Sequence, residues 1–405
     1  MHFRLALNNR CIIKLPDYVG KIKVHMSFFE TDDLLNNYKV MMKSINSIWV
    51  RSVIVTLIAG ACAYVLYSLG IVSIIVSLLP DTTNIPADNA NEVYDYYCRR
   101  TYEENSYRDP DVIIVDVADI SREKIAEAID IINKADAKVI GIDVCFLKEQ
   151  PSDSVLIESI KKAGNVVLAL GLDTKNDSLW RSYFANVNGF KEGLTNLYQD
   201  GRKLFTNHTH KGEEFDSFPW AIAHSFNPSI TNSEVKGQYI NYLDYLYDST
   251  TAPYYASLLL DTENTEYLAD FTNEVKGKIV LLGVVSTMED SHSLPFGEYV
   301  PGVIYNAYAI SSIIHQSYIK NVPPLLLWGI SIIVCLFITA LFFALRNRMA
   351  TSFKPWIYKL IEVLLMVLIQ FMCIRLFETH IFIDFIPYFT IFAFQIFWSS
   401  IMFNV

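Results

Sequence analysis

Four aspartates, Asp119, Asp143, Asp153 and Asp290, fall at or just beyond the ends of short apolar runs that read as strands. In an open parallel sheet, ligands favour the edge formed by the carboxyl ends of the strands. Carboxylates gathered there can hold a hard cation such as Ca²⁺ or Mg²⁺ through oxygen, or a cationic solute. The structural alternative is that Asp119 and Ser121 cap one helix and Asp153 the next. His292, two residues after Asp290, is a further candidate ligand residue.

Other reactive residue types are sparse. His208 and His210 sit two apart beside Glu213 and Glu214, and could share a metal only if that segment were a strand. Spacing fixes no third ligand, so a solvated loop is expected and no metal is assigned. Of the six cysteines, Cys98 and Cys145 lie in the polar middle of the chain. They either pair as a disulfide, which an oxidising compartment permits, or stay reduced with Cys145 in the core. There is no Gly-x-Ser-x-Gly elbow, no His-Glu-x-x-His, no Gly-x₄-Gly-Lys and no Gly-x-Gly-x-x-Gly. The chain reads as a non-enzyme, with no catalytic residue and no cofactor.

The elements that must position the aspartates follow from periodicity. Residues 111–117 (DVIIVDV), 138–144 (KVIGIDV), 165–170 (NVVLAL) and 278–283 (KIVLLG) are compact and β-branched, as buried strands are. Between them, Ile125, Ala128, Ile129 and Ile132 repeat at helical spacing, and so do Leu156, Ile157 and Ile160. Strands alternating with amphipathic helices imply a parallel sheet. Between the third and fourth strands, turn signals, strand-like pieces such as 238–242 and a helix over 218–226 suggest an insertion with antiparallel strands on one edge of the sheet.

Outside this block the chain is apolar. Over its 405 residues, 52% are hydrophobic and only 19% charged, below the roughly 25% of ordinary soluble domains. Residues 52–80 and 385–403 are uncharged, 324–345 likewise, and 356–377 holds only Lys359, Glu362 and Arg375. Lengths near 20 residues are those of membrane helices, so four spans are expected, at 52–79, 324–345, 356–377 and 385–403. A carboxylate within a span is costly, and Lys359 is the expected partner of Glu362. Charge is unevenly spread. Residues 1–51 carry eight Lys/Arg against four Asp/Glu, residues 80–322 twenty against thirty-six, and residues 323–405 five against three. By the positive-inside rule, 1–51 and the 346–359 loop lie in the cytoplasm, and 80–322 lies outside the membrane. That localisation is the inner membrane, with the central domain periplasmic in a two-membrane envelope. A net charge of −10 argues against a nucleic-acid partner.

The order of these pieces resembles the cyclase/histidine-kinase-associated sensory extracellular domain of the second type (CHASE type 2), over most of residues 92–320. Asp95 with Arg99 and Arg100 resembles the family's approach to the first strand. IIVDVADIS (113–121), AKVIGIDVCF (137–146) and AGNVVLAL (163–170) resemble its first three strands with their turns. Gly193, Asp200-Gly201-Arg202, SFPWAIA (217–223), GKIVLLG (277–283), Asp290, Pro295 and VPGVIYNAYAISSIIHQSYI (300–319) follow in the same order. The resemblance implies an α/β extracytoplasmic domain with a mainly parallel sheet and an inserted antiparallel region, plus four transmembrane α-helices, one before and three after.

Members of that family commonly continue into a cytoplasmic kinase or cyclase, whereas this sequence stops two residues after Phe403. The expected role is a membrane-anchored sensor or ligand-binding protein that signals through a separate membrane or cytoplasmic protein, with the lipid bilayer and further copies of itself as other partners. The alternative is a structural scaffold for a cell-envelope complex. In the last apolar run, Gln395 and Ser399 share one helical face, which is expected to meet another helix.

Overall fold

The computed structural model describes residues 48–68, 89–102, 108–173, 176–195, 202–245, 247, 253–285, 291–348, 355–385 and 389–394. Asp290, Gln395 and Ser399 lie outside them, as do the side chains of Lys359 and Glu362, so the expectations placed on those residues are not addressed.

Chain order begins with helix α1 (Ile48–Ser68) and helix α2 (Asn89–Thr101). The α/β unit opens with β1 (Val112–Asp116), α3 (Arg122–Lys134), β2 (Val139–Ile142), α4 (Asp153–Ala163) and β3 (Val166–Asp173). The insertion supplies β4 (Ser178–Arg181), β5 (Lys191–Leu194), the hairpin β6 (Asn207–His210) and β7 (Glu213–Asp216), helix α5 (Phe218–Phe226), β8 (Tyr254–Tyr255) and α6 (Thr265–Val275). Then come β9 (Ile279–Gly283), the hairpin β10 (Ser291–Ser293) and β11 (Tyr299–Pro301), and α7 (Gly302–Ile314). Strand β12 (Lys320–Asn321), helices α8 (Pro324–Arg348) and α9 (Pro355–Phe377), and β13 (Ile381–Phe382) follow, and residues 389–394 are helical again.

The main sheet runs β4-β3-β2-β9-β1-β8, with β5 also on β3. β3, β2, β9, β1 and β8 are mutually parallel, β5 joins parallel, and β4 is antiparallel. The strand of this sheet that comes last in the sequence, β9, is central. It is fully buried, and it pairs with both β1 and β2.

Strand alternation sorts the side chains onto two faces. Ile113, Val115, Ile140, Ile142, Val280 and Leu282 pack with α3, α4 and α6. Val112, Ile114, Val139, Ile279 and Leu281 pack with α2, α5 and α7. The result is helix, sheet, helix in three layers. Gly141 and Gly193 permit the second layer to close. A Cβ at Gly141 would lie 2.5 Å from Ile222 of α5, and one at Gly193 would lie 2.5 Å from the Cα of Phe218.

Helix starts follow the sequence signals. Ser121 caps α3 by accepting from the Lys124 amide, and Ser217 caps α5 by accepting from the Trp220 amide. Asp153 corrects its expected role, since Ser152 is the N-cap and Asp153 is the first helical residue. The strand-like segment 238–242 makes only isolated bridges, Tyr239 to Lys203 and to Ile319.

The expectation of four transmembrane helices is corrected. Among the described residues no helix is long and apolar enough to cross a membrane. In α1, Arg51 leaves 17 uncharged residues to Ser68. α8 carries Arg346 and Arg348 in its last turn, and α9 carries Lys359, Glu362 and Arg375 along its length. In α9 the described uncharged run from Val363 ends at Arg375. Most of 385–403 lies outside the described residues. α1 and α8 pack together around Ala59, Ala63 and Cys335, joined by Ile391 and Phe392.

The contact at Gly193 is to backbone, which cannot rotate away as a side-chain tip can. Gly193→Ala is therefore expected to cost about 1–3 kcal/mol. At about 2–4 °C per kcal/mol for a domain of this size, thermal melting of the purified chain should show a drop of several degrees. An unchanged melting temperature would mean that β5 and α5 can separate freely.

Candidate functional site

The carboxyl ends of β1, β2 and β9 form one edge. Val117 donates to the Gly283 carbonyl at 3.0 Å and Asp143 to the Leu282 carbonyl at 2.7 Å, so the turns after β1 and β2 flank the end of β9. Asp116 closes β1. Its carboxylate is buried and accepts from the amides of Ala118 (3.0 Å) and Val285 (3.1 Å), which lashes two turns together. Asp143 continues β2 on the α7 side, where Asn306 Nδ2 donates to its Oδ2 at 2.9 Å. That bond orients the amide and leaves Asn306 Oδ1 buried with no hydrogen-bond partner. A buried acceptor left unmade costs free energy, and a donor-bearing ligand or a water would relieve it.

The other predicted residues stand on the opposite face or apart. Asp119 is exposed in the turn after β1, in the left-handed region at φ 59° that Asp tolerates. Ser121 is spent on its cap. Asp153 is buried and takes both oxygens onto Arg122 Nη1 (2.7 and 2.8 Å), with Tyr183 Oη (2.7 Å) and the Gln150 amide (2.6 Å) completing its shell. Burial pushes this carboxyl up, but the Arg122 and Tyr183 bonds outweigh it and hold it below the usual carboxylate range. This is a brace between the starts of α3 and α4, separated by the sheet from Asp143. The edge is thus shared while the carboxylates divide across its two faces.

His292 lies in β10 with its ring 4.9 Å from that of Tyr305 on α7. Beside this pair Arg202 is buried and forks onto Asp95 of α2, Nε to Oδ1 at 2.6 Å and Nη2 to Oδ2 at 3.0 Å. Its Nη1 donates to the Ser293 carbonyl at 2.7 Å, which pins β10 to the same ion pair. Cys98 and Cys145 are both free thiols, so the disulfide is not formed. Cys98 is buried in α2, where burial raises its pKa, and Cys145 donates to the carbonyls of Ala169 and Trp180. The segment with His208 and His210 is a strand rather than a loop. His210 Nδ1 lies 3.5 Å from Asp177, yet the described residues give that pair no third metal ligand in reach.

Compared with known protein families, residues 70–344 match the CHASE2 domain, about two thirds of the chain. The chain belongs to the CHASE2 family. No curated protein and no solved structure gives a match. CHASE2 domains are sensory extracellular modules.

Sequence reasoning missed a second constellation, at the far end of α7. Beyond α7, β12 pairs with β13, which follows α9. Lys320 donates to the His380 carbonyl at 2.8 Å and Val322 to that of Phe382 at 3.2 Å. Tyr94 and Tyr97 of α2 stack into Tyr239, Phe377 and Phe382, and Tyr97 Oη donates to the Ile383 carbonyl at 3.1 Å. His380 Nε2 lies 3.4 Å from Asp244 Oδ1. The only sequence signal was the density of tyrosines in 94–102.

The Asp244 bond raises the His380 pKa above its ordinary value. Burial pushes Asp244 up, but the His380 bond and charge hold it below the carboxylate range. A raised histidine contributes fully below its unfolded pKa of about 6.5 and loses that contribution as pH rises through the folded value. The depressed Asp244 loses its share as pH falls through its own folded value. Hydrogen exchange in residues 378–385, corrected for intrinsic rates, should therefore be faster at pH 8.5 than at pH 6, and Asp244→Asn should flatten the difference. Equal protection at both pH values in the unaltered chain would show that this pair does not hold the junction.

Proposed function

We propose that this CHASE2 chain is a membrane-associated extracytoplasmic sensor, in which occupancy at the carboxyl edge is carried by α7 to the β12–β13 junction and read by a separate protein. The observation that carries this reading is the position of α7. Asn306 near its start holds Asp143, its last residues lead into β12, and every residue from Gly302 to Ile313 is buried. A helix gripped on all sides transmits displacement as a unit rather than by bending.

The chemistry of the edge supports a cationic ligand. Asp143 supplies charge, and Asn306 Oδ1 supplies an acceptor that lacks a donor. A small amine satisfies both. Association with a lipid bilayer is supported by rows of exposed apolar side chains on the long helices. Ile330, Ile333, Phe337 and Leu341 on α8, with Val367 and Phe371 on α9, leave surface that a soluble monomer rarely displays. The α/β unit would then face the extracytoplasmic side, the periplasm in a two-membrane envelope. The reader of the signal would be another membrane or cytoplasmic protein, or a further copy of this chain.

Putrescine serves as a simple diamine probe. On the purified full chain it should raise the melting temperature, and Asp143→Asn should remove more than half of that rise while leaving the unliganded melting temperature close to wild type. In the same samples putrescine should change hydrogen exchange in 315–322 and 378–385. A thermal shift without any change at those segments would refute the transmission route. An equal shift in Asp143→Asn would refute the binding site.

A further inference from the structure

The opposite, amino edge of the sheet holds a cluster that the sensor reading does not use. Asp109 and Asp111 flank the start of β1, and His315 is the C-cap of α7. One donor atom from each lies within 4.8 Å of the others. His315 Nε2 is 3.2 Å from Asp109 Oδ1 and 3.9 Å from Asp111 Oδ2. Ligands on a tetrahedral zinc, at about 2.1 Å from the metal, stand about 3.4 Å from one another. The two distances bracket that value, so a cation could enter with little movement of the protein.

We propose that Asp109, Asp111 and His315 bind a divalent transition-metal ion of the zinc class, separate from the carboxyl-edge site. Three observations support it. The first is charge, because two carboxylates, Asp109 and Asp111, face the single imidazole of His315 at 3.2 and 3.9 Å. The second is access. Asp109 is wholly buried at the base of the cluster, whereas His315 and Asp111 keep 20% and 40% of their side chains exposed and give the ion a way in.

The third is an unfilled hydroxyl. Ser311, one turn before His315, is 2% exposed and stands close to Asp109 and Tyr247, but no atom meets hydrogen-bond geometry with its Oγ. A metal-bound water in the fourth position would give that hydroxyl a partner. Asp109 itself is firmly oriented. Its Oδ1 accepts from the amides of Asp111 (2.7 Å) and Val112 (3.2 Å), and its Oδ2 from Tyr247 Oη (2.7 Å), the kind of outer support that metal-binding carboxylates receive. One imidazole nitrogen among the donors favours zinc-class ions over Mg²⁺ or Ca²⁺, which prefer all-oxygen shells.

The test uses the full chain, stripped with a chelator and titrated with Zn²⁺ alone by calorimetry. One equivalent should bind, and Asp111→Asn and His315→Gln should each weaken binding about tenfold or more. Millimolar Mg²⁺ should not compete. Asp111 is partly exposed, so its variant is expected to melt like wild type in chelator and to remain informative if His315→Gln does not fold. Co²⁺ in place of zinc should give tetrahedral visible absorption that Asp111→Asn abolishes. Absence of saturable zinc binding would overturn the proposal. So would wild-type affinity in Asp111→Asn, which would place the metal elsewhere, at the His208–His210 strand for example. Neither result bears on putrescine binding at Asp143.

Discussion

Burial of α7 on every side is the constraint on which the rest of the structure depends. Few helices in a domain of this size have no solvated face, because most pack one stripe inward and leave the other to water. Here α7 lies under β1 and β9 and against α5, β10 and β11. Several of its polar groups are consequently committed. Ser312 bonds the Asn241 amide and the Tyr308 carbonyl, Tyr308 Oη accepts from the Tyr247 amide, and Asn306 grips Asp143. Thirteen residues at about 1.5 Å each give a rod of about 20 Å, the length needed to join the two edges of a five-residue strand with its turns. Val303 touches Gly283 so closely that any side chain at 283 would push the helix off the sheet.

The buried charges are arranged on the same logic. Arg202 and Asp95 each expose 4% or less of their side chains, and their mutual fork is what makes that burial tolerable. Such a pair contributes little net stability relative to apolar residues of the same shape, but breaking it from one side is costly, about 3–5 kcal/mol. It therefore acts as a specificity device. It fixes where α2 sits against the insertion and against β10, and α2 in turn presents Tyr94 and Tyr97 to the junction. Asp153 with Arg122 does the equivalent for α3 and α4 on the other face.

Local chemistry made much of this legible in the sequence. The β-branched runs at 112–116, 139–142 and 279–283 are strands, Ser121 is a cap, and Phe218–Phe226 is a helix, because each depends on neighbours within a few residues. The family resemblance was legible for the same reason, as a succession of such local pieces. What could not be read depends on contacts across the chain. β9 enters between β1 and β2 from more than 130 residues away, so the aspartates after β1 and β2 are separated by a strand. Asn306 meets Asp143 across 163 residues, and His315 meets Asp109 across 206. The runs read as four membrane spans show the reverse error. Hydropathy reports composition over a window, and it does not report where a helix begins, ends or packs.

Two connections, α7 and α2, leave the α/β unit, and both end at the short β12–β13 pair. Any coupling between the edge and the junction is reciprocal by linkage. If a ligand at Asp143 favours one position of α7, then a partner that favours the same position of β12 must strengthen that ligand's binding by the same factor. The junction is held by the β12–β13 hydrogen bonds, the bond of Tyr97 to Ile383, the His380–Asp244 pair and a buried aromatic cluster continuous with the core on that face of the sheet. A partner at the junction would therefore change the apparent affinity of the domain without touching its ligand.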